Sequence, residues 1–364
     1  MIYFDYGATS IKRKEILQEI MDDFDTFNGN PDSQHTYGRR ARRILEEARE
    51  VIAKSINAKP SQIIFTSGAS ESNNTVINAF AKDHIVTTSI EHPSILNAIK
   101  NRKIDATLIR PNRDGSVDLS EVKKAIEDKT KLLSFIYVNN EVGTINPVKE
   151  LGELAKSEGL WYHLDAVQAY GHIDIDVEDL ACDSMSLSGH KIGGLNGFGV
   201  LYLRNKLDNL IYGGNQEKKR RAGTSFIAGA FSMAKAFPLM LKERDKIRGL
   251  KRRFINKLKD EKVNFELNSR PELSSDHILN LYLPFVKSDF LLTYLDINGV
   301  CASAGSACTA GSLEASFVVA NIYDEKRANH SVRFSFGFDN SIEDVDRVVD
   351  LLKSLQEKVS NEGK

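Results

Sequence analysis

A lysine and an aspartate, each at the end of an apolar run, are the first residues that could carry out chemistry. Lys191 follows the predicted strand 183–187 and precedes a glycine pair at 193–194. A buried lysine at the mouth of a sheet can form a Schiff base, because burial favours the neutral, nucleophilic amine. Asp165 stands 26 positions earlier, where its carboxylate could keep a pyridine nitrogen protonated. Read singly, the two residues fit a solvated lysine and a helix-capping aspartate equally well.

Two small, polar loops could bind a phosphate group. The segment 63–74 predicts a strand, a turn at Gly68 and a helix start at Ser70. The free N–H groups and the dipole of a helix start favour an anion there. A second loop, 213–224, carries Arg220 and Arg221, and arginine suits phosphate. The alternatives left open are an ordinary capping turn and a solvated basic loop.

A cysteine in a run of small residues is the third candidate. Cys308 lies among glycine, alanine and serine residues from 302 to 312, a composition that buries little apolar surface. We therefore expect a mobile loop that could bring a nucleophilic thiolate to a substrate and withdraw it. The alternative is a small buried side chain, the usual fate of a free cysteine. Cys182 and Cys301 are interpreted as structural.

The elements that must position these residues alternate between short apolar runs and amphipathic stretches, which indicates an α/β fold. We expect a large domain over 12–245, with a mainly parallel sheet flanked by helices, and a smaller α+β domain formed by 1–11 and 246–364. The predicted strands are 63–65, 84–88, 132–138, 160–164, 183–187 and 199–203, with 278–283 and 331–336 in the smaller domain. The predicted helices are 37–56, 71–82, 93–101, 118–128, 147–158, 228–260 and 341–357.

The composition narrows the class of protein. The chain has 364 residues, 41% hydrophobic and 27% charged, which is typical of a globular protein with more than one core. A net charge of −1 argues against nucleic acid as the main partner. The sequence contains no apolar run of bilayer length, no secretory signal and no disulfide or zinc spacing among its three cysteines. We therefore expect a cytoplasmic protein with no membrane contact and no metal site.

The motifs together resemble a known family: the cysteine desulfurases of the NifS/IscS type, in the aminotransferase class V branch of the fold-type I pyridoxal-phosphate enzymes. The resemblance covers nearly the whole chain. The matching segments are Phe4-Asp5, Gly29-Asn30-Pro31, Thr66-Ser67-Gly68-Ala69, Glu91-His92-Pro93, Asn139-Asn140-Glu141, His163 to Gln168, Ser188-Gly189-His190-Lys191, Arg221-Ala222-Gly223-Thr224, Gly305-Ser306-Ala307-Cys308-Thr309 and Ser331-Val332-Arg333-Phe334-Ser335.

The resemblance implies a role for each matching residue. Lys191 would hold pyridoxal phosphate covalently, Asp165 would pair with its pyridine nitrogen, Gln168 would contact its phenolic oxygen, and His92 would stack on the ring and shuttle protons. Two further residues would receive the substrate carboxylate, namely Asn140 and Arg333. The implied phosphate contacts are Ala69, Ser70, Ser188 and His190, with Thr224 reaching across from a second subunit.

The resemblance also implies a reaction and partners. The enzyme would convert L-cysteine to L-alanine, with sulfur passing to Cys308 as a persulfide for a scaffold or thiolation protein in iron–sulfur cluster assembly or tRNA thiolation. A homodimer is implied by the role of Thr224. The alternatives are a selenocysteine lyase, a cysteine/cystine β-lyase and a cofactor-free interaction protein. The departures from the family pattern fall in the pocket's expected lining, at Tyr6, Gly7, Ser70, Leu195, Asn196 and Asn215.

Overall fold

The computed structural model describes residues 1–305 and 315–362, so that Cys308 lies outside the described residues. The helices are α1 Lys14–Asp22, α2 Phe24–Phe27, α3 Thr36–Lys54, α4 Ala69–Ala79, α5 Pro93–Arg102, α6 Leu119–Ala125, α7 Val148–Glu158, α8 Gln216–Lys219, α9 Ile227–Asp260, α10 Ser288–Ile297, α11 Phe317–Ile322, α12 Glu325–Ala328 and α13 Ile342–Glu362. The strands are β1 Ile2–Tyr3, β2 Ile63–Thr66, β3 His84–Thr88, β4 Ala106–Ile109, β5 Thr130–Ile136, β6 Trp161–Asp165, β7 Ser184–Ser188, β8 Gly199–Leu203, β9 Glu266–Leu267, β10 Ile278–Tyr282, β11 Val300–Cys301 and β12 Ser331–Ser335.

A seven-stranded sheet forms the centre of the fold, in the order β2-β8-β7-β6-β5-β3-β4. The strands β7, β6, β5, β3 and β4 run parallel, and β8 is antiparallel to both of its neighbours. Every residue of β7 and β8 is buried, as expected when helices cover both faces of a sheet. The predicted mainly parallel α/β sheet is confirmed. Because the carboxyl ends of the parallel strands meet at one edge, the residues that follow β3, β5, β6 and β7 lie close together.

A second, three-stranded sheet has the order β12-β10-β9, with antiparallel pairing. The amino-terminal strand β1 pairs with β11, and Asp5 forms a parallel bridge to Ser335 at the end of β12. The first residues of the chain therefore run beside its last strand. This contact brings the segment that follows Asp5 to the edge of the central sheet.

The 34-residue helix α9 connects the two sheets. Near its start, Met233 lies against the turn that follows β7, 3.3 Å from where a Cβ on Gly189 would be. Near its end, Phe254 packs against Phe4, Phe334 and Phe336 with ring centroids 5.0–6.2 Å apart. The predicted boundary between the two domains falls at residue 245, inside the continuous helix α9. The domain division therefore stays a prediction.

The described elements that the sequence did not predict include α1, the edge strand β4 and α10. The strand β4 is only partly buried, so its residues lack the continuous apolar run that marks the central strands. Conversely, α5 has clear end signals: Pro93 occupies its first position and Lys103 ends it with φ 55°. Within residues 1–305 and 315–362, no helix is long and apolar enough to cross a bilayer.

Candidate active site

A cavity of about 460 Å³ opens at the carboxyl ends of the parallel strands. Ten of the residues predicted to bind cofactor or substrate line it: Ala69, Ser70, His92, Asn140, Asp165, Gln168, Ser188, His190, Lys191 and Arg333. Thr224 is exposed and does not line this cavity, and Cys308 lies outside the described residues. The structure thus brings together residues separated by more than 260 positions in the chain.

Lys191 follows β7 in a short turn that ends with glycines. Its Nζ donates hydrogen bonds to the backbone carbonyls of Gly7, at 2.6 Å, and Ala8, at 2.7 Å. The turn is tight, since a Cβ on Gly194 would lie 2.9 Å from the carbonyl oxygen of Gly189. The amino-terminal segment therefore crosses the cavity beside the lysine, a contact that no local sequence pattern indicates.

Asp165 ends β6 with its carboxylate held on both oxygens. Its Oδ1 accepts from the Val167 N–H at 3.1 Å, and its Oδ2 accepts from the Asn73 amide at 2.8 Å. Asp165 is 3% exposed, and its few exposed atoms face the cavity. The two neutral donors fix the position of the Asp165 carboxyl group at the cavity, where it can pair with a ring nitrogen.

The two histidines at the cavity are both held neutral. Burial lowers the pKa of His92, an effect that the charge of Lys191 reinforces and that of Asp165 opposes. Burial, reinforced by Lys191, also lowers the pKa of His190 to about 3. His92 caps α5, with its Nδ1 accepting from the Ser94 N–H at 3.1 Å. A neutral imidazole in a fixed orientation can both pack on a ring and transfer a proton.

Gln168 has its amide orientation fixed by two buried neighbours. Its Nε2 donates to the Gly7 carbonyl at 2.9 Å, and its Oε1 accepts from His277 Nε2 at 3.1 Å. Because a backbone carbonyl can only accept, the NH₂ end of the amide must face Gly7. This orientation leaves the second amide hydrogen at the cavity wall, where it can donate to an oxygen.

The start of α4 forms the anion-binding end of the cavity. Gly68 precedes the helix with φ 153°, and a Cβ there would meet no atom within 4 Å. Among the described residues, the N–H groups of Ala69 and Ser70 have no acceptor, while those of Glu71 and Ser72 bond to Gly68. Donors without acceptors at a helix start suit a phosphate.

The second basic loop does not supply its arginines to this cavity. Arg221 pairs with Glu71, with 2.9 Å between Nε and Oε1. Arg220 donates to the backbone carbonyls of Ser61, at 2.6 Å, and Ile63, at 3.0 Å. Within this chain, both arginines therefore bond protein acceptors and do not line the cavity, and their role as phosphate ligands stays a prediction.

Arg333 lines the same cavity and is 1% exposed. Its guanidinium donates to the Asn140 carbonyl at 2.8 Å and to Asp5 Oδ1 at 2.8 Å. Its Nε is buried and has no acceptor among the described residues. A substrate carboxylate would supply that acceptor. No local sequence pattern indicates that Asp5 pairs with Arg333, because the two residues are 328 positions apart.

The arrangement fits pyridoxal phosphate on these observations. Free backbone donors at the start of α4 suit a phosphate, the carboxyl group of Asp165 suits a ring nitrogen, and the amine of Lys191 lines the same cavity. The guanidinium of Arg333 provides for a carboxylate there as well. The cavity can therefore hold a phosphorylated ring and a small amino acid side by side.

Comparisons with known proteins place these features in a family. A sequence model of the family described as aminotransferase class-V matches residues 2–348. A relative from Bacillus subtilis (strain 168), named putative cysteine desulfurase IscS 1, is 41% identical over 375 residues. That similarity covers 97% of this chain and 99% of the relative, so it concerns nearly the whole of both chains.

Solved structures agree with the sequence relatives. A structure described as a NifS-like protein has a TM-score of 0.89 and 30% sequence identity, covering 99% of both chains. A second structure, described as SspA in complex with cysteine, has a TM-score of 0.82 and 30% identity over 92% of this chain. It covers 99% of that second chain, so the likeness concerns the whole fold.

Proposed function

Because this chain belongs to the cysteine desulfurases of the aminotransferase class-V family, we propose that it converts L-cysteine to L-alanine and passes the sulfur to Cys308. The desulfurase activity follows from the family, and the assignment of steps to residues is the proposal. The observation that supports it most is the meeting of Lys191, Asp165 and Arg333 in one cavity.

Pyridoxal phosphate is the cofactor that this fold family uses, and when bound it withdraws electrons from the substrate's α-carbon. We propose that Lys191 holds it covalently, that Asp165 pairs with its ring nitrogen, and that Gln168 donates to its phenolic oxygen. His92 packs on the ring. The phosphate contacts in this proposal are Ala69, Ser70, Ser188 and His190 from one chain and Thr224 from a second copy.

Arg333 and Asn140 orient the substrate in this proposal. The Arg333 guanidinium is fixed by Asp5 and by the Asn140 carbonyl, so its remaining N–H groups are pre-oriented to bind the cysteine carboxylate at the cavity. The α-carbon then lies toward Lys191, whose amine removes the α-proton. The same amine can then return a proton to the product.

The sulfur step belongs to Cys308. Its thiolate attacks the substrate sulfur, so that a sulfur–sulfur bond forms and the bond between substrate sulfur and β-carbon breaks. The electron pair of the broken bond stays with the carbon skeleton, which takes up protons to become alanine. The products are one alanine and one persulfide on Cys308, and atoms and electrons balance without an external oxidant.

Partners follow from the same assignment. A second copy of the chain is proposed, because Thr224 is exposed on a loop apart from its own cavity. A sulfur-acceptor protein of cluster assembly or tRNA thiolation would then take the persulfide sulfur. This chemistry requires reduced cysteines, so we infer that the enzyme works in the cytoplasm.

The reaction class is tested by product analysis. Purified, cofactor-loaded protein with L-cysteine and a thiol reductant is expected to yield sulfide and alanine in equal amounts. Pyruvate and ammonia in place of alanine would contradict the proposal and identify a β-lyase. L-selenocysteine is tested in parallel to distinguish a selenocysteine lyase from a cysteine desulfurase. A selenocysteine lyase would turn over L-selenocysteine and leave L-cysteine unchanged.

Arg333→Lys is expected to raise the KM for L-cysteine by about 10–100-fold, since a hydrogen bond to a charged group is worth ~1.5–3 kcal/mol and lysine cannot replace the guanidinium fork. Steady-state kinetics with alanine detection measures the change. The matched control is Arg204→Lys, where the arginine bonds the Cys182 and Val177 carbonyls and Glu178 away from the cavity. An Arg333→Lys enzyme with wild-type KM would exclude Arg333 from carboxylate binding.

A further inference from the structure

One buried asparagine connects the two side chains proposed to act on the cofactor ring, Asp165 at its nitrogen and His92 on its face. Asn73 lies in the first turns of α4 and is 0% exposed. Its Nδ2 donates to Asp165 Oδ2 at 2.8 Å and to Ser94 Oγ at 2.9 Å. Its Oδ1 is 3.1 Å from His163 Nε2. A buried amide with all its hydrogen bonds made is a rigid connection.

The chemistry of the neighbours fixes the orientation of this amide. An ionised carboxylate can only accept, so the nitrogen of Asn73 must face Asp165. Both hydrogens of that nitrogen are then used, one by Asp165 and one by Ser94. The oxygen of Asn73 must face His163, whose Nε2 therefore carries a proton.

The chain of hydrogen bonds continues from His163 away from the cavity. With its proton on Nε2, neutral His163 accepts at Nδ1 from the Ser184 hydroxyl, 3.0 Å away. That hydroxyl accepts from Trp161 Nε1 at 2.8 Å, and an indole nitrogen can only donate. Burial lowers the pKa of His163 to about 3, so the imidazole stays neutral. In the chain of hydrogen bonds from Trp161 to Asp165, each hydrogen atom has one position that satisfies its donor and its acceptor.

The branch toward His92 has a consistent direction as well. Since Ser94 Oγ accepts from Asn73, its own hydrogen is available to His92 Nδ1, 2.8 Å away. The backbone N–H of Ser94 also donates to that Nδ1, at 3.1 Å. A nitrogen that accepts from two donors carries no hydrogen, so neutral His92 has its proton on Nε2.

We infer that Asn73 is a positioning residue: it holds the Asp165 carboxylate directly and, through the Ser94 hydroxyl, acts together with the Ser94 backbone N–H to hold His92 as the tautomer with its proton on Nε2. This inference rests on the proposed function, because Asp165 and His92 matter for turnover only if the cavity holds the cofactor. Neutral His92 can therefore donate a proton from Nε2. It can accept a proton at Nε2 only after that nitrogen has lost its own. Asn73 therefore links the side chain proposed to pair with the ring nitrogen, Asp165, to the side chain proposed to transfer protons, His92.

The two branches can be separated by substitution. Asn73→Ala removes both branches, whereas Ser94→Ala removes the hydroxyl branch to His92 and leaves the bond between Asn73 and Asp165. Asn78→Ala is the matched control, because Asn78 is on the same helix and, among the described residues, its side chain bonds Arg102 and no residue of the cavity. Thermal unfolding of each variant establishes that it is folded.

The expected results differ between variants. Asn73→Ala is expected to raise the dissociation constant of pyridoxal phosphate for the apoprotein about 10-fold and to lower kcat about 10–100-fold with KM nearly unchanged, the usual size of such supporting contacts. Ser94→Ala is expected to lower kcat and leave cofactor affinity at the wild-type value. Equal cofactor affinity and kcat in folded Asn73→Ala and wild type would overturn the inference, as would equal loss of cofactor affinity in Ser94→Ala.

The tautomer has a direct readout that does not depend on turnover. Nitrogen-15 NMR of histidine-labelled holoenzyme, with the His92 signal assigned by its loss in His92→Gln, is expected to show the proton on Nε2. A proton on Nδ1 would overturn the inference even if Asn73→Ala failed to fold. A wild-type protein that binds no cofactor and makes no alanine would contradict the proposed function instead, while the same spectrum of the apoprotein would still report the His92 tautomer.

Discussion

Cys308→Ala is expected to reduce sulfide and alanine formation from L-cysteine by roughly 10³-fold or more, because the variant has no thiolate to accept the substrate sulfur. Alanine formation depends on that acceptor, since the bond between sulfur and β-carbon breaks as the new sulfur–sulfur bond forms. Cofactor absorbance should be unchanged, because Lys191, Asp165 and the phosphate-binding end of the cavity are intact. The measurement is the joint rate of sulfide and alanine release.

Cys301→Ala is the matched control for that variant. Cys301 lies in β11 only seven positions before Cys308, and burial, reinforced by the nearby carboxylates of Asp296 and Asp5, raises the pKa of its thiol. A thiol that ionises less is a poorer nucleophile, so this variant should keep wild-type activity. Retained turnover in Cys308→Ala with loss in Cys301→Ala would reverse the assignment. Retained turnover in both would indicate a lyase without a cysteine nucleophile.

Lys191→Ala is expected to lower kcat by about 10²–10⁴-fold, the usual contribution of a positioned acid–base group. The variant should bind pyridoxal phosphate only non-covalently. Borohydride treatment should therefore attach the cofactor to wild-type protein and not to the variant. A small primary amine added to the assay should restore part of the activity, because it can take over the role of the missing side chain.

Lys12→Ala tests whether the effect is specific to Lys191. Lys12 is another partly buried lysine near the amino terminus, where burial lowers its pKa to about 8 and its Nζ donates to the Ser10 carbonyl at 2.9 Å. It is not among the residues that line the cavity. The Lys12→Ala enzyme should keep its covalent cofactor and its kcat. A covalent cofactor that survives in Lys191→Ala would assign the link to a different amine.

The central sheet could be predicted from the sequence because its strands are short, apolar and buried on both faces. The observed bounds of β3 and β8 match the predicted ones, and β6 and β7 differ by one residue at each end. The edge strand β4 was missed, since half-exposed residues carry no continuous apolar signal. The antiparallel direction of β8 could not be derived either, because pairing direction depends on connections across the whole sheet.

The site was predictable in its residue types and not in its contacts. A lysine after β7 and an aspartate at the end of β6 were visible as local patterns. By contrast, the bonds from Lys191 to Gly7 and Ala8 join segments more than 180 positions apart, and no sequence period encodes them. The hydrogen bond from Asn73 to Asp165 joins residues 92 positions apart and could not be predicted either. An asparagine after a helix start is ordinarily interpreted as a capping or surface residue.

Mass analysis of the Cys308 peptide tests the central claim most directly. Cofactor-loaded wild-type protein is mixed with L-cysteine without reductant, quenched, and digested. The account predicts that the peptide containing Cys308 gains one sulfur atom, with one alanine released per sulfur bound. Release of alanine or pyruvate while the Cys308 peptide keeps its original mass would contradict it.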